Sequence, residues 1–252
     1  MRLLLKVVMA WRAGLVLLLL AGLFACSGEQ KSRTTFSIAT GGTAGLYYPF
    51  GGGMASLWSE HLPDVNVKAE VTGGSVTNVV QVARQESEFG LAMADVVTDA
   101  FLGQGRFPEP LPLRVLLNAY PNIVHILTLA DSGVNAVADL RGKRVSLGAS
   151  GSGTAIAAEN VVTGLGVALD QLSVAYLNFG ETTSALKDGT IDAGFVVGGL
   201  GLAAVTELAV TRNLVLVPLS DADLVTLQEQ FPAYAGYQIP GNTYNGITHP
   251  VQ

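Results

Sequence analysis

The sequence predicts an α/β fold with largely parallel sheets. Short apolar or alternating runs, typical of strands, are followed repeatedly by glycine-rich turns and then by apolar positions at helical spacing. Strands that alternate with helices in this way favour a sheet in which successive strands run parallel. The chain contains 30 glycines and only 7% aromatic residues, which fits many tight strand-to-helix connections.

The first half of the chain alternates strand-like runs with helical patterns. Strands are predicted over residues 36–39, 65–71, 89–94 and 113–117, and helices around residues 54–58, 76–83 and 96–101. Ser75 and Asp95 each stand just before a predicted helix, where a short polar side chain can accept a hydrogen bond from a free backbone N–H. Both residues are therefore predicted N-caps.

The second half of the chain repeats this arrangement. Strands are predicted over residues 123–127, 144–147, 193–197 and 214–219, and helices around residues 157–162 and 202–208. After Pro108, Pro110 and Pro112, the chain is expected to cross into a second domain near residues 120–122. Residues 231–244 show no periodicity, and we expect them to return toward the first domain.

Residues 1–25 are predicted to be a signal peptide. Arg2, Lys6 and Arg12 precede an apolar core of about ten residues, which is too short to span a bilayer. Cys26 then ends an LFAC sequence similar to a bacterial lipobox, so we expect lipidation of its sulfur, with residues 26–35 as a tether to the membrane surface. An ordinary signal peptide followed by an incidental cysteine is the alternative.

The charge balance excludes some classes of partner. Removal of residues 1–25 changes the net charge from −6 to about −9, because that segment carries three basic side chains and no acidic one. Nucleic acids and anionic lipids are bound through basic patches. We therefore expect no nucleic-acid partner, and contact with the membrane only through the lipid anchor.

Patterns for catalysis and for metal binding are weak. His61, His125 and His249 lack partners at metal-ligand spacing, so solvated or structural roles are favoured for them. The turn of residues 40–45 matches neither the Rossmann fingerprint nor a P-loop. A Gly-x-Ser-x-Gly elbow is missing as well, and a hydrolase that uses Ser152 would lack a convincing base. No cofactor, metal or catalytic residue is expected.

The glycine-rich turns predict a binding site. In parallel sheets ligands bind beyond the carboxyl ends of the strands, which is where these turns would lie. Taken alone, each turn is most often only a tight connection. Several of them together could bring helix N-termini to one place, where an anion is held without a cationic side chain. The turns contain no lysine or arginine, and they carry small hydroxyl residues such as Ser75 and Ser152.

Five segments occur in an order that resembles one family: ATGGTAGLYYPFGGGMASLW, VTGGSVTNV, FGLAMAD, DLRGKRVSLGASGSGT and LKDGTIDAGFVVGG. Together, over roughly residues 36–246, they resemble the TAXI class of solute receptors of tripartite ATP-independent periplasmic (TRAP) transporters. The resemblance implies a type II periplasmic-binding-protein fold, with two lobes of mixed, largely parallel sheets around a ligand cleft. It also implies a bacterial periplasmic receptor that passes a small carboxylate or an amino acid such as glutamate to a TRAP permease driven by an ion gradient.

The resemblance implies ligand-facing positions in both lobes. Lobe 1 would span residues 36–120 and lobe 2 residues 121–220, with residues 221–252 as a return segment. The implied ligand-binding residues are Gly42, Thr43, Tyr47, Ser75, Asn78, Asp95, Ser150, Ser152, Gly153 and Thr154. Most would hydrogen-bond carboxylate or amino groups, Tyr47 would also pack on the ligand, and Asp95 would face an ammonium or serve as a helix cap.

Two departures from the family pattern matter. Met93 stands where the family often carries glutamine, so a polar ligand contact is expected to be altered. The family also continues beyond the GNTYNG segment, and from this we expect lobe 1 to be incompletely covered. Two other functions stay open at this stage: a sensory receptor that partners a membrane histidine kinase, and an exported serine hydrolase.

Overall fold

Two β-sheets organise the part of the chain that the computed structural model describes, residues 33–252. The predicted signal peptide over residues 1–25, the proposed lipidation site Cys26 and most of the tether lie outside these residues, so they stay predictions. Within residues 33–252, no helix is long and apolar enough to cross a membrane.

The first sheet has three strands in the order β2-β1-β3. Its strands are β1 (Thr34–Ala39), β2 (Val65–Glu70) and β3 (Phe89–Gly90), and β1 runs parallel to β3. Three helices alternate with them: α1 (Tyr47–His61), α2 (Ser75–Ala83) and α3 (Ala94–Leu102). We call this sheet with α1–α3 the first lobe.

The second sheet has five strands in the order β6-β5-β7-β4-β8. Its strands are β4 (Ile123–Leu129), β5 (Arg144–Ser146), β6 (Ser173–Ala175), β7 (Ala193–Gly198) and β8 (Leu214–Leu216). Its helices are α4 (Gly153–Gly164), α5 (Phe179–Lys187), α6 (Ala203–Thr211) and α7 (Asp221–Gln230), with short 3-10 turns at Val137–Leu140 and Leu169–Gln171. We call this sheet with α4–α7 the second lobe.

The second sheet is mixed and carries most of the core. β5 runs parallel to β6 and β7, whereas β4 runs antiparallel to β7 and β8. Every residue of β7 is buried, because both faces of this central strand are covered. Phe195 packs with Val145 on one face, and Val196 packs with Leu127 on the other. The predicted α/β class, with mixed and largely parallel sheets, is thereby confirmed.

The first lobe has a smaller core. Ile38, Ala55 and Val67 form its buried centre, and the rings of Trp58 and Phe89 meet edge-on with centroids 4.9 Å apart. α1 therefore packs on the sheet through its middle, although the sequence predicted only a short helix around residues 54–58. The helix begins at Tyr47 instead, directly after the glycine-rich turn.

Two strand predictions for the first half of the chain differ from the structure: one predicted strand does not form, and another is shorter than predicted. Residues 113–117 form no strand, and Val115 and Leu116 are 72% and 70% exposed. An apolar run predicts burial, but a strand also needs a neighbour for its backbone hydrogen bonds. The strand predicted over residues 89–94 is confined to β3, because residue 94 already begins α3.

The end of the described chain packs on the second lobe, which corrects our expectation for residues 221–252. Ile239 pairs with Val251 in an isolated antiparallel bridge. Ile239 and Tyr244 are buried in the cluster that contains Ile123 of β4, and they cover that face of the second sheet. The buried apolar side chains of this segment are irregularly spaced in the sequence, so an analysis of periodicity does not predict their burial.

Candidate ligand-binding cleft

A cleft of about 280 Å³ lies between turns of the two lobes. Its lining comes from residues within 41–47, 71–75, 149–154 and 176–181, together with Met93, Tyr120, Val197 and Gly198. Most of these turns follow the carboxyl ends of strands β1, β2, β5 and β6. The cleft therefore lies where ligands bind in open α/β sheets, as the glycine-rich turns predicted.

Four helices begin at the wall of this cleft. Tyr47, Ser75, Gly153 and Phe179 are the first residues of α1, α2, α4 and α5, and all four line the cleft. Backbone N–H groups in the first turn of a helix have no partner within the helix, and this end of the helix dipole is positive. The convergence of four such ends favours an anionic group in the cleft.

The four helix starts differ in how they are capped. Asn178 accepts a hydrogen bond from Glu181 N at 3.0 Å and so caps α5. In contrast, α1 and α2 follow Leu46 and Gly74 and have no side-chain cap. The third N–H of α2, that of Thr77, donates instead to Gly151 O at 3.2 Å, and the third residue of α1 is Pro49, which has no N–H. The N–H groups of the first two residues of each helix therefore remain as candidate donors to a ligand.

Ser75 and Ser152 exchange the roles that the sequence suggested. Ser75 is not an N-cap but the first residue of α2, and its hydroxyl accepts a hydrogen bond from Met93 N at 3.1 Å. Ser152 is the N-cap of α4: its hydroxyl accepts from Ala155 N at 3.0 Å and donates to Ala149 O at 2.6 Å. The Ser152 proton is thus directed to a backbone carbonyl, an arrangement that does not favour the serine hydrolase.

Two buried tyrosine hydroxyls at the cleft have no hydrogen-bond partner among residues 33–252. They belong to Tyr47 and Tyr120, whose rings meet edge-on with centroids 6.3 Å apart. Ser75 and Asn122 lie beside the Tyr47 hydroxyl, but no bond of ordinary geometry forms. Burial raises the pKa of both phenols, so both stay protonated and can donate. Tyr120 was missed by sequence reasoning, because it lies in an irregular segment without periodicity.

Of the other residues implied by the resemblance, Gly42, Gly153 and Thr154 also line the cleft. Thr43 and Ser150 are exposed and do not. Asn78 is buried behind the wall, where its amide nitrogen donates to Thr40 O and Leu91 O, both at 2.6 Å, and its oxygen accepts from the Thr72 hydroxyl at 2.6 Å. Asn78 thus joins the turns that follow all three strands of the first sheet.

Asp95 lies off the cleft and is not an N-cap, since Met93 holds that position. One carboxylate oxygen accepts from Val96 N at 2.8 Å. The other is buried beside Tyr234, and within the described part of the chain it makes no hydrogen bond of ordinary geometry. Burial is the main cause that raises the pKa of Asp95. The folded state therefore holds this proton more tightly than the unfolded state does, and its contribution to stability is lost as pH rises through the raised pKa.

We expect Asp95→Asn to raise the melting temperature at pH 7 by about 2–4 °C, the shift that ~1 kcal/mol gives in a domain of this size. Asparagine keeps the acceptor for Val96 N and removes the buried charge. Thermal unfolding followed by circular dichroism at pH 4 and pH 7 measures this, with the exposed Asp131→Asn as the matched control. A lower melting temperature at pH 7 would contradict the cost assigned to the carboxylate.

The two α/β lobes with a cleft between them have a fold similar to that of type II periplasmic binding proteins. Residues 38–252 match the NMT1-like family, so the chain belongs to this family. Solved structures with similar folds include a protein from Bordetella bronchiseptica RB50, with TM-score 0.55 and 16% identity over 79% of this chain and 61% of that one.

Two further solved structures are similar. One is the alkanesulfonate-binding protein SsuA from Xanthomonas axonopodis pv. citri bound to MOPS, with TM-score 0.50 and 17% identity over 74% of this chain and 61% of that one. The other is holo ArgBP from T. maritima, with TM-score 0.50 and 14% identity over 73% of this chain and 76% of that one. The chain thus spans less than two thirds of the SsuA chain, and these similarities establish the fold alone.

Proposed function

We propose that this protein is a bacterial extracytoplasmic receptor that captures a small carboxylate or amino acid and delivers it to a TRAP permease powered by an ion gradient. The observation that carries the proposal is the buried, unpartnered hydroxyl of Tyr47 at a cleft where four helices begin. A buried polar group without a partner is costly, and a ligand carboxylate would supply the missing hydrogen bond.

The transport partner rests on the sequence resemblance. The TGGTAGLYYP and VTGGSVTN segments, which resemble TAXI receptors, form the turns at the cleft that precede α1 and α2. The predicted export signal over residues 1–25 and the lipobox-like sequence around Cys26 support a periplasmic receptor that would be held at the membrane by a lipid. The similar solved proteins named SsuA and ArgBP bind a sulfonate and arginine, which supports capture of a small solute.

Two measurements test the proposal. Isothermal titration calorimetry of the purified protein against a panel of small carboxylates and amino acids should find at least one ligand with micromolar or better affinity. Uptake of that ligand by cells should then collapse when the ion gradient is dissipated and persist when ATP alone is depleted. A folded protein that binds no member of the panel contradicts capture, and uptake that follows ATP contradicts the TRAP partner.

We expect Tyr47→Phe to weaken carboxylate binding by about 10-fold, because a hydrogen bond to a charged group contributes roughly 1.5 kcal/mol. The matched control is Tyr48→Phe, which removes a hydroxyl from the next residue of α1, one that does not line the cleft. Calorimetry on both variants gives the two affinities. Equal weakening by the two variants would show that the Tyr47 hydroxyl is not aimed at the ligand.

A further inference from the structure

The cleft has many neutral polar groups but few charged side chains. This composition indicates which of the small carboxylates and amino acids of the proposed function the cleft would bind. Of the described residues that line the cleft, Glu181 alone has a charged side chain. An anionic ligand would therefore be held by neutral donors, and a cationic group on the ligand would have few partners. If the protein captures a small carboxylate or amino acid as proposed, the composition of the cleft indicates the chemical class of that ligand.

Hydrogen-bond donors of the protein are concentrated at one side of the cleft, where they would bind one end of a ligand. The hydroxyls of Tyr47 and Tyr120 are buried and unpartnered, and the first turns of α1 and α2 add backbone N–H groups without side-chain caps. Donors of this kind, with no lysine or arginine among the lining residues, match a single carboxylate. The hydroxyl oxygen of Tyr47 is itself buried, so it is not satisfied by bulk water.

Among the described residues that line the cleft, none offers a buried carboxylate to a ligand ammonium. Glu181 accepts a hydrogen bond from Asn178 N at 2.8 Å as half of the capping box of α5, and its side chain is exposed. Asp95, the other acidic candidate, lies off the cleft. An ammonium in the cleft would lose its hydration without a buried charge partner, and that desolvation is unfavourable.

Most of the other side chains that line the cleft are apolar, and the hydroxyls of Thr72 and Ser152 already donate within the protein. Leu46, Val71, Met93, Phe179 and Val197 line it, and the ring of Tyr176 adds a further aromatic surface. A wall of this composition gains free energy by covering hydrocarbon, and it offers no cationic side chain to a second carboxylate. Its volume, about 280 Å³, is near the lower end for sites of small molecules.

We infer that the ligand is a monocarboxylate with an apolar aryl or branched aliphatic body and no ammonium group. Its carboxylate lies at the tyrosine hydroxyls and the first turns of α1 and α2, and its body lies against the apolar wall. A glutamate-like amino acid differs from this ligand by one ammonium and a second carboxylate. The residues that line the cleft include no buried acidic side chain for the ammonium and no basic side chain for the second carboxylate.

Matched pairs of ligands test this inference by calorimetry on the purified protein. The pairs are 3-phenylpropanoate with L-phenylalanine, 4-methylpentanoate with L-leucine, and pentanoate with glutarate and L-glutamate. We expect the first member of each set to bind at least about 10-fold more tightly than its partners. Equal or tighter binding of an amino acid or of glutarate overturns the inference while leaving the proposed capture function intact. Binding of no carboxylate and no amino acid overturns both.

Glu181→Gln gives a second test. Glutamine keeps an oxygen that can accept from Asn178 N, so the cap of α5 is preserved while the charge is removed. We expect 3-phenylpropanoate to bind this variant as tightly as, or up to about 3-fold more tightly than, the unmodified protein, because one negative charge has left the cleft. Weaker binding of L-phenylalanine by at least 10-fold in the variant would instead show that Glu181 holds an ammonium, and would contradict the inference.

Discussion

Gly153→Ala is expected to weaken ligand binding by about 10–100-fold, the consequence of roughly 1–3 kcal/mol of overpacking at the contact between the lobes. A Cβ at Gly153 would lie 2.5 Å from Met93 Sδ and 2.8 Å from Ser75 Oγ. The first turn of α4 therefore reaches the first lobe only because residue 153 has no side chain. An alanine there would hold the two lobes apart.

The contacts that this variant would separate extend beyond the cleft. Thr77 N donates to Gly151 O across the lobes at 3.2 Å, and Arg106 pairs with Glu159. An apolar cluster also joins the lobes, with Val79 and Met93 on one side and Ala157 on the other. With these contacts between the lobes, the cleft is closed. A side chain at position 153 that separates the lobes would break these contacts and open the cleft.

Small-angle X-ray scattering and calorimetry on the same samples measure opening and affinity together. Gly53→Ala is the matched control, because no atom lies within 4 Å of a Cβ at that position of α1. We expect the control to keep its affinity and to gain about 0.5–1 kcal/mol of stability, as alanine does in place of glycine within a helix. Wild-type affinity in Gly153→Ala would show that ligand binding does not need this closed contact.

The convergence of the turns could be predicted from the sequence. The carboxyl ends of parallel strands meet at one edge, so turns that follow different strands come together. Tyr47, Ser75 and Gly153 line one cleft for that reason. The individual side-chain roles could not be predicted, because backbone groups compete with a ligand for the same hydroxyls. Ser152 became a helix cap and Asn78 a buried brace between turns.

The other contacts that could not be predicted from the sequence are made by residues in irregular segments. Tyr120 precedes β4 in a stretch without periodicity, and only its packing against Tyr47 brings it to the cleft. Tyr244 lies 119 residues from its hydrogen-bond partner His125, a separation across which local patterns carry no information. Strand and helix periods describe which face of an element is buried, and they are silent on contacts made by turns.

Tyr244→Phe is expected to lower the free energy of unfolding by about 1–3 kcal/mol, the cost of leaving buried polar groups unpaired. The Tyr244 hydroxyl accepts from Gly201 N at 3.2 Å and lies 3.0 Å from Nε2 of His125. Since Nδ1 of His125 lies 3.0 Å from Ile123 O, we assign its proton to Nδ1, and Nε2 then accepts from the tyrosine. Phenylalanine keeps the ring and removes both bonds.

The same network makes stability depend on pH. Burial lowers the pKa of His125, so the unfolded state binds a proton at a higher pH than the folded state does. Stability is therefore fully present above the unfolded value of about 6.5 and falls as pH decreases from there toward the lowered folded pKa. Urea unfolding between pH 5 and pH 8 measures this slope. It should become shallower in His125→Gln and stay unchanged in the control His249→Gln, whose histidine is exposed. A slope that survives His125→Gln would place the responsible proton elsewhere.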